Sequence, residues 1–265
     1  MKNWLQKCPL YASKKQKKAP LINTITDPLD SDLFVAFNKY PCSKQLHNYI
    51  PIYDLYLSPI RHSVKRVLEI GVESGDSLLM WQDYFPNAEI HGFDINPACK
   101  DFEKNGLRIH IGDQEKIGDY NSLPTDFDVV IDDGSHITKH QIISFKHIFA
   151  KRMKDRGIYF VEDVTNRPRT VDFFIQFAHS TNFWPEDTDE GDWPRINDLS
   201  KWVQDPYHLE TIGVSFYRFL ICIQKGNNPR DGHAYFRSLR TQHTQKITKK
   251  RREFFQNQKN KPRNL

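Results

Sequence analysis

Between residues 66 and 162, short apolar runs alternate with longer mixed stretches. Arg66-Val-Leu-Glu-Ile-Gly71, Glu89-Ile-His-Gly-Phe-Asp94, Leu107 to Ile111, Phe127-Asp-Val-Val-Ile-Asp132 and Gly157-Ile-Tyr-Phe-Val-Glu162 read as five strands. Helices fall between them: Asp76 to Phe85, capped by Asp76 and stopped by Pro86; a short one from Pro97 to Asn105; one opened by Gly112-Asp113-Gln114; and Ile137 to Ala150. Strands that alternate with helices form βαβ units with right-handed crossovers, and buried parallel strands are continuously apolar, as Val129-Val-Ile131 and Ile158-Tyr-Phe-Val161 are. The expected fold is α/β: a Rossmann-like, doubly wound, mostly parallel sheet with helices on both faces. An antiparallel pair from Ile212 to Lys225, pivoting near Arg218, would close it. Upstream, Leu33 to Arg61 is rich in aromatics and predicts one or two helices broken by Pro41, Pro51 and Pro59. Residues 164–211, rich in Trp, Pro and Asp, predict an irregular insertion or lid carrying Trp184 and Trp202.

Charge divides the chain further. Residues 1–18 hold six Lys and no acid, and residues 233–265 hold ten Lys or Arg and one acid, Glu253. Taking these ends from the overall +5 leaves −10 for residues 19–232, so an acidic body carries basic ends. The expected organisation is a loosely ordered arm over 1–30, one domain over 31–232 and a basic tail over 233–265. Such ends can bind nucleic acid or another anionic surface, or be solvated and frayed. No apolar run reaches membrane-spanning length, and no apolar stretch follows the N-terminal Lys residues, so a cytoplasmic protein is expected. Cys8, Cys42, Cys99 and Cys222 form no CxxC pair, which points to reduced thiols rather than zinc or a disulfide framework.

Four motifs carry chemistry. In Glu69-Ile-Gly71-Val-Glu-Ser-Gly75-Asp-Ser77, Gly71 and Gly75 let the backbone turn tightly and approach a ligand. The turn lacks the Lys of a phosphate loop, and Glu69 and Glu73 would repel a pyrophosphate but suit a sulfonium or an amino group. Asp94, 23 residues after Gly71, can bond both hydroxyls of an adenosine ribose; a helix cap is the plainer alternative. Gly112-Asp113-Gln114 can present a polar side chain to an adenine, or Asp113 can cap a turn. In Asp132-Asp133-Gly134-Ser135-His136, two carboxylates and an imidazole follow a buried strand, and the next strand ends in Glu162-Asp163. Clustered carboxylates repel unless a cation sits between them, and hard oxygen ligands suit Mg²⁺ or another divalent ion. His136 can then serve as a base near neutral pH, while Asp132 is counted with the cofactor site.

These stretches resemble a known family. Leu68-Glu-Ile-Gly-Val72, Ser77-Leu-Leu-Met-Trp81, Tyr84-Phe-Pro86, Gly92-Phe-Asp-Ile95, Gly112-Asp-Gln114, Ile131-Asp-Asp-Gly-Ser-His136 and Val161-Glu-Asp163 look like the metal-dependent O-methyltransferases of macrolide sugars, of the macrocin and mycinamicin type. His47-Asn-Tyr-Ile-Pro-Ile-Tyr53, Val214-Ser-Phe-Tyr217 and Gln224-Lys-Gly226 match as well, so the resemblance runs over about residues 44–226. It implies a class I S-adenosylmethionine-dependent enzyme in which Asp133, Glu162 and Asp163 hold Mg²⁺, His136 is the base, and Tyr49 and Ser77 join the cofactor contacts. The acceptor would be a hydroxyl of a sugar or glycosylated small molecule, and a homo-oligomer is compatible with it. A nucleic-acid methyltransferase using the basic ends, or a non-catalytic cofactor-binding protein, are the competing readings.

Overall fold

The computed structural model describes residues 31–40, 42–45, 47–164, 168–181, 207 and 210–227. The expected arm over 1–30, the tail over 233–265, and Trp184 and Trp202 lie outside the described residues. Two helices, α1 (Asp32–Lys39) and α2 (Ile50–Leu57), precede the sheet. Ser31 caps α1 by accepting from the Phe34 amide, and Pro51 stands in the first turn of α2. Pro51 therefore opens a helix rather than breaking one, because the first turn needs no amide donor.

The strands are β1 (Arg66–Ile70), β2 (Glu89–Asp94), β3 (Arg108–Ile111), β4 (Phe127–Asp132), β5 (Met153–Val161), β6 (Thr211–Tyr217) and β7 (Leu220–Lys225). They form one sheet in the order β3-β2-β1-β4-β5-β7-β6. β1 to β5 are parallel; β7 runs antiparallel to β5, and β6 antiparallel to β7. The helices α3 (Asp76–Tyr84) and α4 (Thr138–Lys151) are crossovers, while Pro97–Asn105 and Ile117–Ser122 are 3₁₀ segments. Residues 168–181 correct one expectation. They form a helix, α5 (Pro168–Thr181), rather than irregular chain, and bury Phe173, Phe174 and Phe177 against Phe145 of α4. Those positions are the i, i+1, i+4 stripe of an amphipathic helix.

Side chains alternate across each strand, so the sheet buries two separate layers. Val67, Val129, Ile131, Ile158 and Phe160 face α1, α2 and α3, where Phe37, Tyr53 and Trp81 complete the layer. Leu68, Ile70, Val130, Tyr159 and Val161 face α4 and α5. The order of strands reverses direction between β1 and β4. Ligands of open α/β sheets bind beyond the carboxyl ends at such a switch point.

Candidate active site

The period of two decides which acids meet. Glu69 lies on the face of Val67; one step past the end of β4, Asp133 follows Ile131 onto that face, and past β5, Glu162 follows Phe160. Their registers are tied by Asp133 N–H to Ile70 O at 3.0 Å and Glu162 N–H to Asp132 O at 2.9 Å. A third element enters between them. The 3₁₀ turn Ser43–Gln45 drives Lys44 into the cluster, its Nζ 2.6 Å from Asp133 Oδ2, 2.9 Å from Glu162 Oε1 and 3.0 Å from Glu69 Oε1. Lys44 is 1% exposed. Burial alone would lower its pKa, but the charges of Asp133, Glu162 and Glu69 outweigh burial and hold the ammonium well above its usual range. Burial, then the charge of Asp133, pushes the Glu162 carboxyl up; burial also raises Glu69, against the pull of Lys44.

Asp163 turns away from that cluster. Its Oδ1 accepts from the Tyr49 hydroxyl at 2.6 Å and lies 3.0 Å from His47 Nδ1. His136 faces both outer acids, its Nε2 3.7 Å from Asp163 Oδ2 and 3.9 Å from Asp133 Oδ1. Its Nδ1 is buried without a hydrogen-bond partner among the described residues. Asp133, His136 and Asp163 each offer one ligand atom, and these atoms lie within 4.8 Å of one another; the two carboxylates suit a divalent cation with the imidazole beside it. His136 (φ 55°) and Asp163 (φ 53°) both adopt left-handed backbone, an uncommon conformation for residues other than glycine.

A cleft of about 720 Å³ runs from this group to the glycine turn, within the range of small-ligand sites. Gly71, Ser77, Asp94, Asp113, Gln114, Asp133, His136 and Asp163 all line it. Gly71 (φ 91°) ends β1 where a Cβ would run into the Asp133 carbonyl, so the turn and the acidic loop pack backbone to backbone. Gly75 (φ 75°) supplies the left-handed N-cap of α3, a role sequence had assigned to Asp76. Asp94 holds the turn: its Oδ2 accepts from Val72 N–H at 2.7 Å and Glu73 N–H at 3.3 Å, and its Oδ1 from Asn96 N–H at 2.7 Å. Asn96, not Asp94, caps the following 3₁₀ segment.

Three of the sequence-predicted cofactor residues, Glu69, Tyr49 and Asp132, do not line the cleft. Glu69 is buried between Lys44 and Trp81, whose Nε1 donates to it at 2.7 Å. The Tyr49 hydroxyl serves Asp163. Asp132, a step from Asp133, faces the α4 layer and accepts from Gln114 Nε2 at 2.8 Å and the Tyr159 hydroxyl at 3.1 Å. Gln114 reaches the cleft wall, but its amide is committed: it also donates to Ser144 Oγ and accepts from Ser135 N–H, each at 2.9 Å. Asp113 lines the cleft while accepting from Glu115 N–H at 2.9 Å. Glu162, read from sequence as a metal ligand, lies 2.9 Å from Lys44 Nζ and accepts from the Tyr53 hydroxyl. Lys44 and His47 were missed. The available signal was three acids on one strand face, which require positive charge beside them, and Lys44 supplies part of it.

No family model matches the chain. It is 30% identical over 217 residues to demethylmacrocin O-methyltransferase of Streptomyces fradiae, covering 71% of this chain and 51% of that protein. It is 29% identical over 221 residues to 8-demethyl-8-(2-methoxy-alpha-L-rhamnosyl)-tetracenomycin-C 3'-O-methyltransferase of Streptomyces olivaceus, covering 72% and 52%. Among solved structures, MycE methyltransferase from the mycinamycin biosynthetic pathway, in complex with Mg, SAH and mycinamycin VI, superposes with a TM-score of 0.62 at 25% identity, covering 76% of this chain and 56% of that one. The chain has the class I methyltransferase fold and resembles the macrolide-sugar O-methyltransferases. It spans about half the length of the curated relatives it matches.

Proposed function

We propose that this chain transfers the methyl group of S-adenosylmethionine to a hydroxyl of a sugar or glycosylated small molecule, assisted by Mg²⁺ or another divalent cation. The observation that carries the reading is the meeting of Asp133, His136 and Asp163 at one end of a cleft whose other end is the glycine turn and Asp94. The relatives are named as O-methyltransferases, and the similar solved structure contains Mg, SAH and mycinamycin VI. In this reading Asp94 receives the ribose hydroxyls, Gly71 to Ser77 border the amino-acid part of the donor, and the Gly112-Asp113 turn borders its adenine. Glu73, exposed on the turn, adds negative charge towards the sulfonium and amino groups.

Asp133 and Asp163 hold the cation. When bound, it lowers the pKa of the reacting hydroxyl and fixes its position. His136 Nε2 accepts the hydroxyl proton, and Asp133 and Asp163 stabilise the imidazolium that forms. As the oxygen–methyl bond forms, the sulfur–methyl bond breaks and the sulfonium departs as a neutral thioether. Among the described residues no helix is long and apolar enough to cross a membrane. A cytoplasmic location is in keeping with Cys42, Cys99 and Cys222, none of them paired. The test is a reaction of the chain, an extract of glycosylated small molecules and isotopically labelled S-adenosylmethionine, followed by mass spectrometry. Label on a saccharide oxygen is expected; label only on nitrogen, carbon or nucleic acid would refute the proposal.

A further inference from the structure

The hairpin that closes the sheet turns at the same edge as the chemistry. Val161 of β5 pairs with Ile221 of β7, and Tyr217 of β6 with Leu220, so the two-residue turn Arg218-Phe219 stands beside the chain that leaves β5 through Glu162 and Asp163. The turn is tied to that chain. The Phe219 carbonyl accepts from Val164 N–H at 3.2 Å and from the Tyr49 hydroxyl at 3.2 Å, the same hydroxyl that reaches Asp163 Oδ1. In the order of strands, the glycine turn and Asp94 follow β1 and end β2, on one side of the acids beyond β4 and β5; Arg218-Phe219 lies on the other side, between β7 and β6. An acceptor that approaches Asp133, His136 and Asp163 from the side away from the donor passes this turn.

Its residues are not the ones its backbone favours. Phe219 has φ 68°, and a turn with left-handed backbone at its second residue favours glycine there. A bulky residue so held is an outlier, and such strain gathers at binding sites. The Phe219 ring packs, partly buried, against the layer of α1 and α2, and the Arg218 guanidinium lies over it, 4.8 Å from the ring centre. Arg218 is exposed, and among the described residues no carboxylate pairs with it. The turn thus presents an oriented guanidinium, whose planar fork matches a carboxylate or a phosphate.

We propose that Arg218, supported by Phe219, selects the acceptor, and that the acceptor saccharide carries an anionic group, a carboxylate or a phosphate, apart from the hydroxyl that is methylated. The proposal rests on the O-methyl transfer reading above and deepens it. Arg218 binds the anion, and Phe219 is a positioning residue that holds the guanidinium.

The extract reaction with labelled S-adenosylmethionine tests this when its products are passed over an anion exchanger. Labelled saccharide is expected in the retained fraction; phosphatase and phosphodiesterase release a phosphorylated product and leave a carboxylate-bearing one. Labelled saccharide in the unretained fraction alone overturns the proposal and leaves the methyl-transfer reading standing. Label only on nitrogen, carbon or nucleic acid, or no label, removes that reading and the proposal with it. With the retained acceptor purified, Arg218→Gln is expected to raise KM about tenfold, the scale of one charge-assisted hydrogen bond, with kcat within about twofold and the affinity for S-adenosylhomocysteine unchanged. Arg218→Lys should recover part of the loss. Phe219→Asn, which tolerates left-handed backbone but lacks the ring, should raise KM in the same direction. A turn with a merely structural role would lower Tm and leave KM alone, so an unchanged KM in folded Arg218→Gln overturns the proposal.

Discussion

His136 and Asp132 stand four residues apart and meet opposite conditions. His136 is held at φ 55° and partly exposed, its Nε2 directed between two carboxylates. A base so placed contributes about 10²- to 10⁴-fold to a rate. His136→Ala is accordingly expected to lower kcat by about that factor while S-adenosylhomocysteine titration gives an unchanged affinity; a variant that keeps full turnover removes His136 as the base. Asp132 is fully buried, and burial pushes its carboxyl from the ordinary 3.8 up to about 7, against the hydrogen bonds from Tyr159 and Gln114. Between those values the folded chain retains a proton that the unfolded chain has released. Stability therefore falls as pH rises through that window, by at most about 1.4 kcal/mol per unit, and the penalty is constant above it. Asp132→Asn removes this slope. Urea denaturation of both proteins from pH 4 to 8 checks it, and parallel pH curves would contradict the assignment.

Among the elements, β1 and β4 position the chemistry by ending side by side. Gly71 closes β1 against the Asp133 carbonyl, and a Cβ there has no room. Gly71→Ala meets both that contact and a left-handed backbone, which alone costs about 1–3 kcal/mol. Lower urea stability together with loss of S-adenosylhomocysteine binding is expected, and normal binding would show that the turn is not part of the donor site. The strands were legible because their apolar runs are local: β2 and β4 have the bounds read from sequence, and the turn between β6 and β7 falls at Arg218 and Phe219. β5 starts earlier than read, at Met153, because the polar residues Lys154, Asp155 and Arg156 interrupt the apolar run while Met153 still pairs with Phe127. Helix α5 was hidden by the Trp- and Pro-rich composition around it, although Phe173, Phe174 and Phe177 have helical spacing.

For the whole molecule, donor and metal are expected to stabilise the fold by mass action, since both bind the assembled strand ends and not the unfolded chain. A ligand at a hundredfold excess over its Kd adds about 2.7 kcal/mol. Differential scanning calorimetry should show Tm rising with S-adenosylhomocysteine and with Mg²⁺ separately, the Mg²⁺ increment vanishing in Asp163→Asn. Chelation should abolish turnover and leave the donor increment intact. Full turnover in chelator would exclude the metal from the reaction.

The sequence by itself determined the strand and helix succession, the doubly wound sheet, the glycine turn and the acids at the ends of β1, β4 and β5. Periodicity and turn chemistry act over a few residues, so one chain suffices to read them. Only the tertiary structure decided that Lys44 meets three of these acids. Lys44 is 89 residues from Asp133 and 118 from Glu162, a separation no local pattern bridges. The register of three strands and the depth of one 3₁₀ turn bring them within 3 Å, and that contact ties Glu162 to Asp133 through one buried ammonium.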